Sequence, residues 1–362
     1  YKLAGLMALL EDKKADTSTI YDTNGGVVKY FSRSVRDSHK GGYGKISLAR
    51  GFEVSSNTVM AQAVQNAYKE NPSQFVNRIN SYGLNKPLGL PIEGEGIPMI
   101  PQPKGKGWSG IALPWMAYGY NVSVTPMQML TLYNAVANNG EMVKPIFVKE
   151  VKEWNKTIKK FDKEVINPRI CSPETLAKVR AVLENTVKNG TGKKLYSKDF
   201  SMAGKTGTAQ VNYGKGKGAD SEMYYASSFA GYFPADHPKY SCIVIIHRPS
   251  KEKGIYGADV SGPVFKRIAQ KIFTDSPTTN EIKNLKKKDT KQEESYESYY
   301  TSVLNNQNVV PNVKGMTGMD AVALLGNLGL KVKIVGIGKV KSQSLLPGNK
   351  IDKNTLITLE LS

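Results

Sequence analysis

The sequence predicts an α+β protein, in which helices flank an antiparallel sheet and a smaller α+β domain follows. Three strand patterns stand next to one another in the chain, at Met202–Val211, Tyr224–Phe233 and Tyr240–His247. Helical patterns precede this group, and another closes it at about residues 263–273. Strands that are neighbours in sequence favour antiparallel pairing, whereas a parallel sheet needs long crossovers between its strands. A second compact pattern, after Val309, predicts the smaller domain.

The helices are predicted from apolar spacing and from their first residues. The first covers residues 1–14 and has apolar side chains at helical intervals, namely Leu3, Leu6, Met7 and Leu10. Residues 57–80 also predict a helix, whereas the Gly- and Pro-rich residues 83–107 predict a long loop. Further helices are predicted to begin at Thr125-Pro126 and Ser172-Pro173, because a capping hydroxyl followed by proline is typical of a first turn.

Composition limits the size, the partners and the cofactors of the protein. Its 362 residues exceed one ordinary domain, which holds about 100–200 residues. The net charge of +19 favours an anionic partner, although a solvated basic surface explains it equally well. Cys171 and Cys242 are too few for a disulfide framework or a metal motif, and the Gly-rich residues 213–218 lack the ending of a phosphate loop. We therefore expect no metal, no organic cofactor and no nucleic acid, and we expect residues 213–218 to form a turn at a cleft rim.

Three short motifs carry the candidate chemistry. Lys205-Thr206-Gly207-Thr208 lies on a predicted strand, Ser55-Ser56-Asn57 lies at a helix start, and Lys2 lies in the first helical turn. Each has a plain structural explanation: a glycine bulge, a helix cap and a solvated terminal lysine. The order of the three motifs along the chain makes the match more specific. Serine acyltransferases that react with β-lactams have Ser-x-x-Lys, Ser-x-Asn and Lys-Thr-Gly in the same order.

With these motifs, the chain up to about residue 273 resembles the class B penicillin-binding proteins, which are transpeptidases of peptidoglycan synthesis. The resemblance includes Gly119-Tyr120, Val124–Gln128, Ala203–Gln210 and Phe229–Pro234. It implies the penicillin-binding protein and serine β-lactamase fold, with the sheet flanked by helices. It also implies that stem peptides ending in D-Ala-D-Ala, and β-lactams, bind to the protein.

The resemblance implies a role for each motif residue. Lys2 would be the base that takes the proton of the serine nucleophile, and Lys205 would be a second cation. This cation and partial burial would together lower the pKa of Lys2. Ser55 would relay the proton, and Asn57 would hold the lysine and the substrate amide. Residues 205–208 would pair with the substrate as an added strand, with Gly207 allowing close approach. The hydroxyls of Thr206 and Thr208 would bind the terminal carboxylate, and the N–H of Thr208 would form half of the oxyanion hole.

The nucleophile of this pattern would stand three residues before Lys2, ahead of Tyr1. We therefore expect the chain as given to begin just inside the active-site helix and to be unable to form an acyl-enzyme. We also expect the family's membrane anchor to precede Tyr1, since no apolar run here reaches the roughly 18 residues of a membrane helix. The resemblance implies a location at the outer face of the cell membrane.

The C-terminal residues resemble a PASTA domain, one helix packed on a small sheet. Val310-Pro311, the helix with Leu324 and the alternating strand Ile351–Leu361 carry this resemblance. We expect a transpeptidase domain at residues 1–274, a polar linker at 275–308 and the PASTA domain at 309–362. Ligand binding and a spacer role remain equally open for this last domain.

Three alternative functions remain open at this stage. A D,D-carboxypeptidase and a serine β-lactamase use the same motifs, and a non-catalytic cell-wall sensor or scaffold would keep the fold. The C-terminal domain and the chain-wide resemblance favour the transpeptidase, with other wall-synthesis or divisome proteins as expected partners.

Overall fold

The computed structural model describes residues 1–105, 107–154, 156–198, 200–211, 223–250, 252, 254–275, 303 and 308–362. The chain divides into two compact units, Tyr1–Ser276 and Pro277–Ser362. The Gly-rich residues 213–218 lie outside the described residues. The predicted linker at 275–308 does so too, except for residues 275, 303 and 308.

The helices of the first unit are α1 (Lys2–Glu11), α2 (Leu48–Glu53), α3 (Asn57–Tyr68), α4 (Pro72–Ser81), α5 (Ala112–Met116), α6 (Pro126–Ala137), α7 (Pro173–Lys188) and α8 (Ser261–Asp275). Its shorter strands are β1 (Ile20–Asp22), β2 (Val27–Tyr30), β3 (Arg33–Arg36), β4 (Lys45–Ser47), β5 (Met142–Val143), β6 (Glu150–Glu153), β7 (Lys156–Lys160) and β8 (Val165–Asn167). They form the antiparallel pairs β1–β4, β2–β3, β5–β8 and β6–β7. Residues 57–80 were predicted as one helix, and the structure has two, because Pro72 starts a new helix.

The central sheet consists of β9 (Ala203–Val211), β10 (Tyr224–Phe233) and β11 (Tyr240–His247), in the antiparallel order β11-β10-β9. Successive side chains of a strand point to opposite faces, so β10 contributes side chains to two hydrophobic cores. Phe229 and Phe233 pack with Phe265 of α8. Ala230 and Tyr232 belong to the larger core on the other face, which also contains α1. The sheet therefore lies between α8 and the remaining helices, as the predicted α+β arrangement requires.

Helix α1 runs through the larger core and is buried along nearly its whole length, from Lys2 to Leu10. Its sequence has small or apolar residues on every side, which is typical of a central helix rather than a surface one. Gly5 allows close packing, since a Cβ there would lie 3.3 Å from the carbonyl oxygen of Ala117. The consequence is that Lys2, in the first turn, is drawn into the protein with only 9% of its surface exposed.

The second unit contains α9 (Gly318–Asn327) and the strands β12 (Lys331–Val335), β13 (Val340–Gln343) and β14 (Leu356–Leu361). β14 is central, parallel to β12 and antiparallel to β13. Thr317 caps α9 by accepting a hydrogen bond from Asp320 N. The helix buries Leu324 and Leu325 against Ile357 and Leu359 of the sheet. One helix on a small sheet is the architecture that the sequence predicted here.

Candidate active site

A cleft of about 1280 Å³ in the first unit is lined by all the residues that the sequence singled out: Lys2, Ser55, Asn57, Lys205, Thr206, Gly207 and Thr208. These residues come from three separate parts of the chain. Helix α1 supplies the first lysine, the turn between α2 and α3 supplies Ser55 and Asn57, and β9 supplies the remainder. The structure therefore brings together residues that are far apart in the chain, since Lys2 and Thr208 are separated by 206 positions.

The ammonium group of Lys2 is held by three hydrogen bonds to the Ser55–Asn57 turn. Its Nζ donates to the backbone oxygen of Ser55 at 2.8 Å, to Ser55 Oγ at 2.9 Å and to Asn57 Oδ1 at 2.7 Å. A lysine ammonium has three protons, so these acceptors use all of its donors. The geometry fixes the nitrogen next to the Ser55 hydroxyl, within reach for proton exchange between the two groups.

The turn that carries Ser55 has a local conformation that few residues adopt. Ser55 has a φ of +60°, in the left-handed region that non-glycine residues seldom occupy. Ser56 then caps α3 by accepting a hydrogen bond from the backbone N–H of Val59 at 3.1 Å. This cap assigns the ordinary helix-start role to the middle serine. Ser55 is left free of that role and directs its hydroxyl to Lys2.

Burial lowers the pKa values of both Lys2 and Lys205. It lowers the pKa of Lys2 to about 7, and the negative charge of Asp37 opposes this decrease. It also places the pKa of Lys205 well below its ordinary value, and the charge of Lys2 lowers it further. The sequence had suggested that a second cation and partial burial would together depress the pKa of Lys2. Loss of solvation is the leading cause, because transfer from water penalises the charged form. A lysine with a pKa near 7 can act as a base at neutral pH.

Lys205 is only 5% exposed, and its Nζ lies over the ring of Phe52 at 5.6 Å from the centroid. It donates to the backbone oxygen of Thr206 at 3.1 Å and to Thr206 Oγ1 at 3.4 Å. The Thr206 hydroxyl also lies 2.7 Å from the hydroxyl of Thr191. These contacts give the cleft a lysine amine and a cluster of hydroxyls, which can donate hydrogen bonds to a carboxylate ligand.

Strand β9 forms an edge of the central sheet. It pairs with β10 and, within the described residues, with no other strand. An edge strand has unpaired backbone groups that can accept an extended peptide. Gly207 lies at a close approach on this strand, since a Cβ there would be 2.4 Å from Ser228 Oγ. Thr208 Oγ1 accepts a hydrogen bond from the backbone N–H of Gly257 at 3.3 Å. The geometry allows the strand-pairing role predicted for residues 205–208.

The sequence reasoning missed three residues of this region: Asp37, Glu53 and Thr191. Asp37 and Thr191 line the cleft. Glu53 is buried and accepts hydrogen bonds from Arg50 at 3.0 Å and Asn185 at 2.5 Å. These residues lie outside the recognised motifs, and a single sequence gives no signal for them. Their importance arises from tertiary contacts alone.

Within the described ranges, no cluster of His, Cys, Asp and Glu is suited to hold a metal ion. Across the same ranges, the helices are too short or too polar to cross a bilayer. The described cleft contains the lysines, the hydroxyls and the Asn57 amide of the acyl-transfer motifs, together with the Asp37 carboxylate.

Two family models match the chain and together account for most of it. The model "Penicillin binding protein transpeptidase domain" matches residues 1–270, and the model "PASTA domain" matches residues 308–362. The fold thus belongs to the class of penicillin-binding transpeptidase domains. The chain belongs to the penicillin-binding protein transpeptidase family and has a PASTA domain at its C-terminal end.

Curated relatives support the same assignment. Stage V sporulation protein D of Bacillus subtilis strain 168 is 28% identical over 100% of this chain and 53% of its own length. Peptidoglycan D,D-transpeptidase FtsI of Escherichia coli K12 is 28% identical over 68% of this chain and 37% of its own length. The predicted resemblance to class B penicillin-binding proteins is confirmed. The chain spans about half, or less, of the length of these relatives.

Solved structures have the same fold. Penicillin-binding protein 3 from Mycobacterium tuberculosis, in complex with aztreonam, matches 76% of this chain and 61% of its own, with a TM-score of 0.62 and 25% identity. The transpeptidase domain of penicillin-binding protein 3 from Burkholderia pseudomallei matches 76% of this chain and 77% of its own, with the same TM-score and identity. The predicted α+β fold class is confirmed.

Proposed function

We propose that this protein is a peptidoglycan D,D-transpeptidase that cross-links stem peptides through a serine acyl-enzyme and is a target of β-lactams. The observation that carries the proposal is the contact of Lys2 Nζ with Ser55 Oγ at 2.9 Å and Asn57 Oδ1 at 2.7 Å, beside the edge strand that contains Lys205. The names of the relatives support it, since several are called peptidoglycan D,D-transpeptidases.

The proposed reaction uses the expected serine three residues before Lys2. Neutral Lys2 takes the serine proton while the serine oxygen attacks the carbonyl between the two D-Ala residues of a stem peptide. The carbon–nitrogen bond breaks, and the proton passes through Ser55 to the amine of the departing D-Ala. The amine of a second stem peptide then attacks the ester and passes a proton to Lys2. Lys2 returns this proton to the serine oxygen as the serine–acyl bond breaks and the amide cross-link forms.

In this scheme, β9 orients the donor peptide, and its terminal carboxylate meets the hydroxyls of Thr206 and Thr208. Two features support this placement: the open edge of β9, and the hydroxyls of Thr191 and Thr206, which lie together beside Lys205. The N–H of Thr208 would stabilise the oxyanion together with a donor near the nucleophile. We place the protein at the outer face of the cell membrane, where its substrate is, with other wall-synthesis proteins as partners.

Intact mass measurement after incubation with a penicillin tests the proposal. The protein is made with the residues that its natural coding sequence places ahead of Tyr1, and separately as the chain beginning at Tyr1. We expect one covalent adduct on the former and none on the latter. An adduct on the chain beginning at Tyr1 would show that the nucleophile is elsewhere. Absence of an adduct on both would favour the non-catalytic sensor or scaffold.

The fate of the adduct separates the enzymes that share these motifs. A transpeptidase holds a penicilloyl group for minutes to hours and joins two peptides, whereas a β-lactamase releases hydrolysed drug quickly. A carboxypeptidase releases D-Ala without a cross-linked product. Chromatography of products from a stem peptide, with and without an acceptor amine, therefore decides among the three.

A further inference from the structure

The carboxylate of Asp37, directly after β3, is the hydrogen-bonding centre of the turn that contains Ser55 and Asn57. Its Oδ1 accepts from the backbone N–H of Asn57 at 2.6 Å and of Thr58 at 3.0 Å. Its Oδ2 accepts from Ser56 Oγ at 2.9 Å and from Thr58 Oγ1 at 2.8 Å. One side chain therefore binds the first residues of α3 at four points, where a helix has unpaired N–H groups.

The residue before it fixes the direction of the catalytic amide. The side-chain Nδ2 of Asn57 donates to the backbone oxygen of Arg36 at 2.9 Å. Because the nitrogen faces Arg36, the Oδ1 of the same amide faces Lys2 and accepts from its Nζ at 2.7 Å. The end of β3 thus determines which atom of Asn57 meets the lysine.

From this geometry we infer that Asp37 is a positioning residue, which holds the Ser55–Asn57 turn, and through that turn the amine of Lys2, without contacting the substrate. Its effect on catalysis rests on the proposed function. Its effects on the turn and on Lys2 do not, because they are properties of the folded chain. The resemblance to known enzymes assigns roles to Lys2, Ser55 and Asn57, and gives none to Asp37.

The charge of Asp37 supports the inference, because it affects the pKa of Lys2, which can be measured. Burial lowers the pKa of Lys2 to about 7, and the Asp37 carboxylate raises it against that trend. The buried amine of Lys205 also faces Lys2, and the charge of Lys2 lowers its pKa further. In the 362-residue chain the α-amino group of Tyr1 is a further neighbour, and the residues ahead of Tyr1 replace this group in the longer protein. Loss of the Asp37 charge would leave Lys2 with positive or neutral neighbours. Lys2 would then be deprotonated at a still lower pH.

The test is an NMR titration of the lysine ε-carbons in the 362-residue chain, with the Lys2 signal assigned through Lys2→Arg. We expect Asp37→Asn to lower the Lys2 midpoint by about one pH unit, as removal of a nearby charge in a partly buried site should. Asp37→Glu keeps the charge and is expected to keep the midpoint within about half a unit. Asp22→Asn is the matched control, because Asp22 is an exposed carboxylate that also accepts a backbone N–H, from Asn24.

An unchanged Lys2 midpoint in folded Asp37→Asn would overturn the inference. So would an equal decrease in Asp37→Asn and Asp37→Glu, since altered packing would then be the cause. Asp37→Ser, which is neutral and keeps an acceptor, replaces Asp37→Asn if that variant does not fold. In the longer protein, the acidic limb of the penicillin acylation rate should move to lower pH by the same amount. Failure of the unmodified longer protein to react would refute the proposed function, and the titration would still decide the role of Asp37.

Discussion

Thr191 and Thr206 face each other at the cleft with their hydroxyl oxygens 2.7 Å apart. The backbone N–H of Thr191 donates to the carbonyl oxygen of Glu53 at 3.0 Å. Glu53 is the last residue of α2 and stands two positions before Ser55. Thr191 therefore joins the turn that holds Lys2 to the strand that is proposed to bind the substrate carboxylate. No motif in the sequence marks this link.

We predict that Thr191→Val slows acylation by a penicillin about fivefold, because a lost hydrogen bond is worth ~1 kcal/mol. Valine has the shape of threonine and lacks the hydroxyl that orients Thr206. The measurement is the second-order acylation rate of the protein with its natural upstream residues. Thr191→Ser keeps the hydroxyl and should react at nearly the rate of the unmodified protein. Equal rates for the valine and serine variants would contradict the proposed orienting role.

We predict that the free energy of unfolding of the first unit rises with pH through Lys2. The folded-state pKa of about 7 lies below the ordinary lysine value of about 10.4. Between these values the unfolded chain binds more protons, so raising the pH favours the folded state. The cost of burying charged Lys2 is therefore complete below pH 7 and disappears by about pH 10.

Lys2→Met measures this cost. We expect the variant to be more stable than the unmodified chain by about 1–2 kcal/mol at pH 6, because a buried charge is replaced by an apolar chain of similar length. The advantage should shrink as the pH rises from 7 to 9 in urea unfolding. Lys14→Met, at an exposed position, should change the stability by less than about 0.5 kcal/mol. A constant advantage at every pH would refute the assignment of the pKa.

We predict that Asp12→Ala destabilises the first unit by about 1–3 kcal/mol, because it leaves the half-buried Arg78 and the buried Tyr68 hydroxyl without their acceptor. The Asp12 side chain is 4% exposed. It accepts from Arg78 Nε and from the Tyr68 hydroxyl, each at 2.8 Å. Chemical unfolding measures the loss. Glu70→Ala removes an exposed carboxylate and should cost little. A small effect of Asp12→Ala would mean that water replaces the missing carboxylate.

The sequence predicted the central sheet well because its strands are long enough to show a pattern. The ranges predicted for β10 and β11 agree with those of the structure, and β9 begins one residue later than predicted. The pairs β1–β4 and β2–β3 were missed, since strands of three or four residues hold too few alternations to stand out. Yet β3 leads directly into Asp37, so a missed element carries part of the site.

The candidate site was predictable only where residue order carried information. Lys2, Ser55 and Lys205 stand in a known order, and the structure places all of them in one cleft. Asp37 and Thr191 reach the same cleft through contacts across 20 and 15 positions of chain, which no local spacing encodes. Partial burial of Lys2 was expected from its role as a base, but the sequence did not show that burial, rather than a second cation, is the main cause of its low pKa.

The second unit provides the last prediction, because its core is small. Leu324 of α9 is fully buried among Ala321, Leu328 and the strands of the unit. Leu→Ala at such a site costs about 2–5 kcal/mol, which is a large part of the stability of so short a domain. We expect Leu324→Ala to unfold residues 308–362 at 37 °C, detected by NMR, while the thermal transition of the first unit persists. Met319→Ala, at an 84% exposed position of the same helix, should leave both units folded. If Leu324→Ala also unfolds the first unit, the stability of that unit depends on the second. This result would contradict the division of the chain into two separate cores.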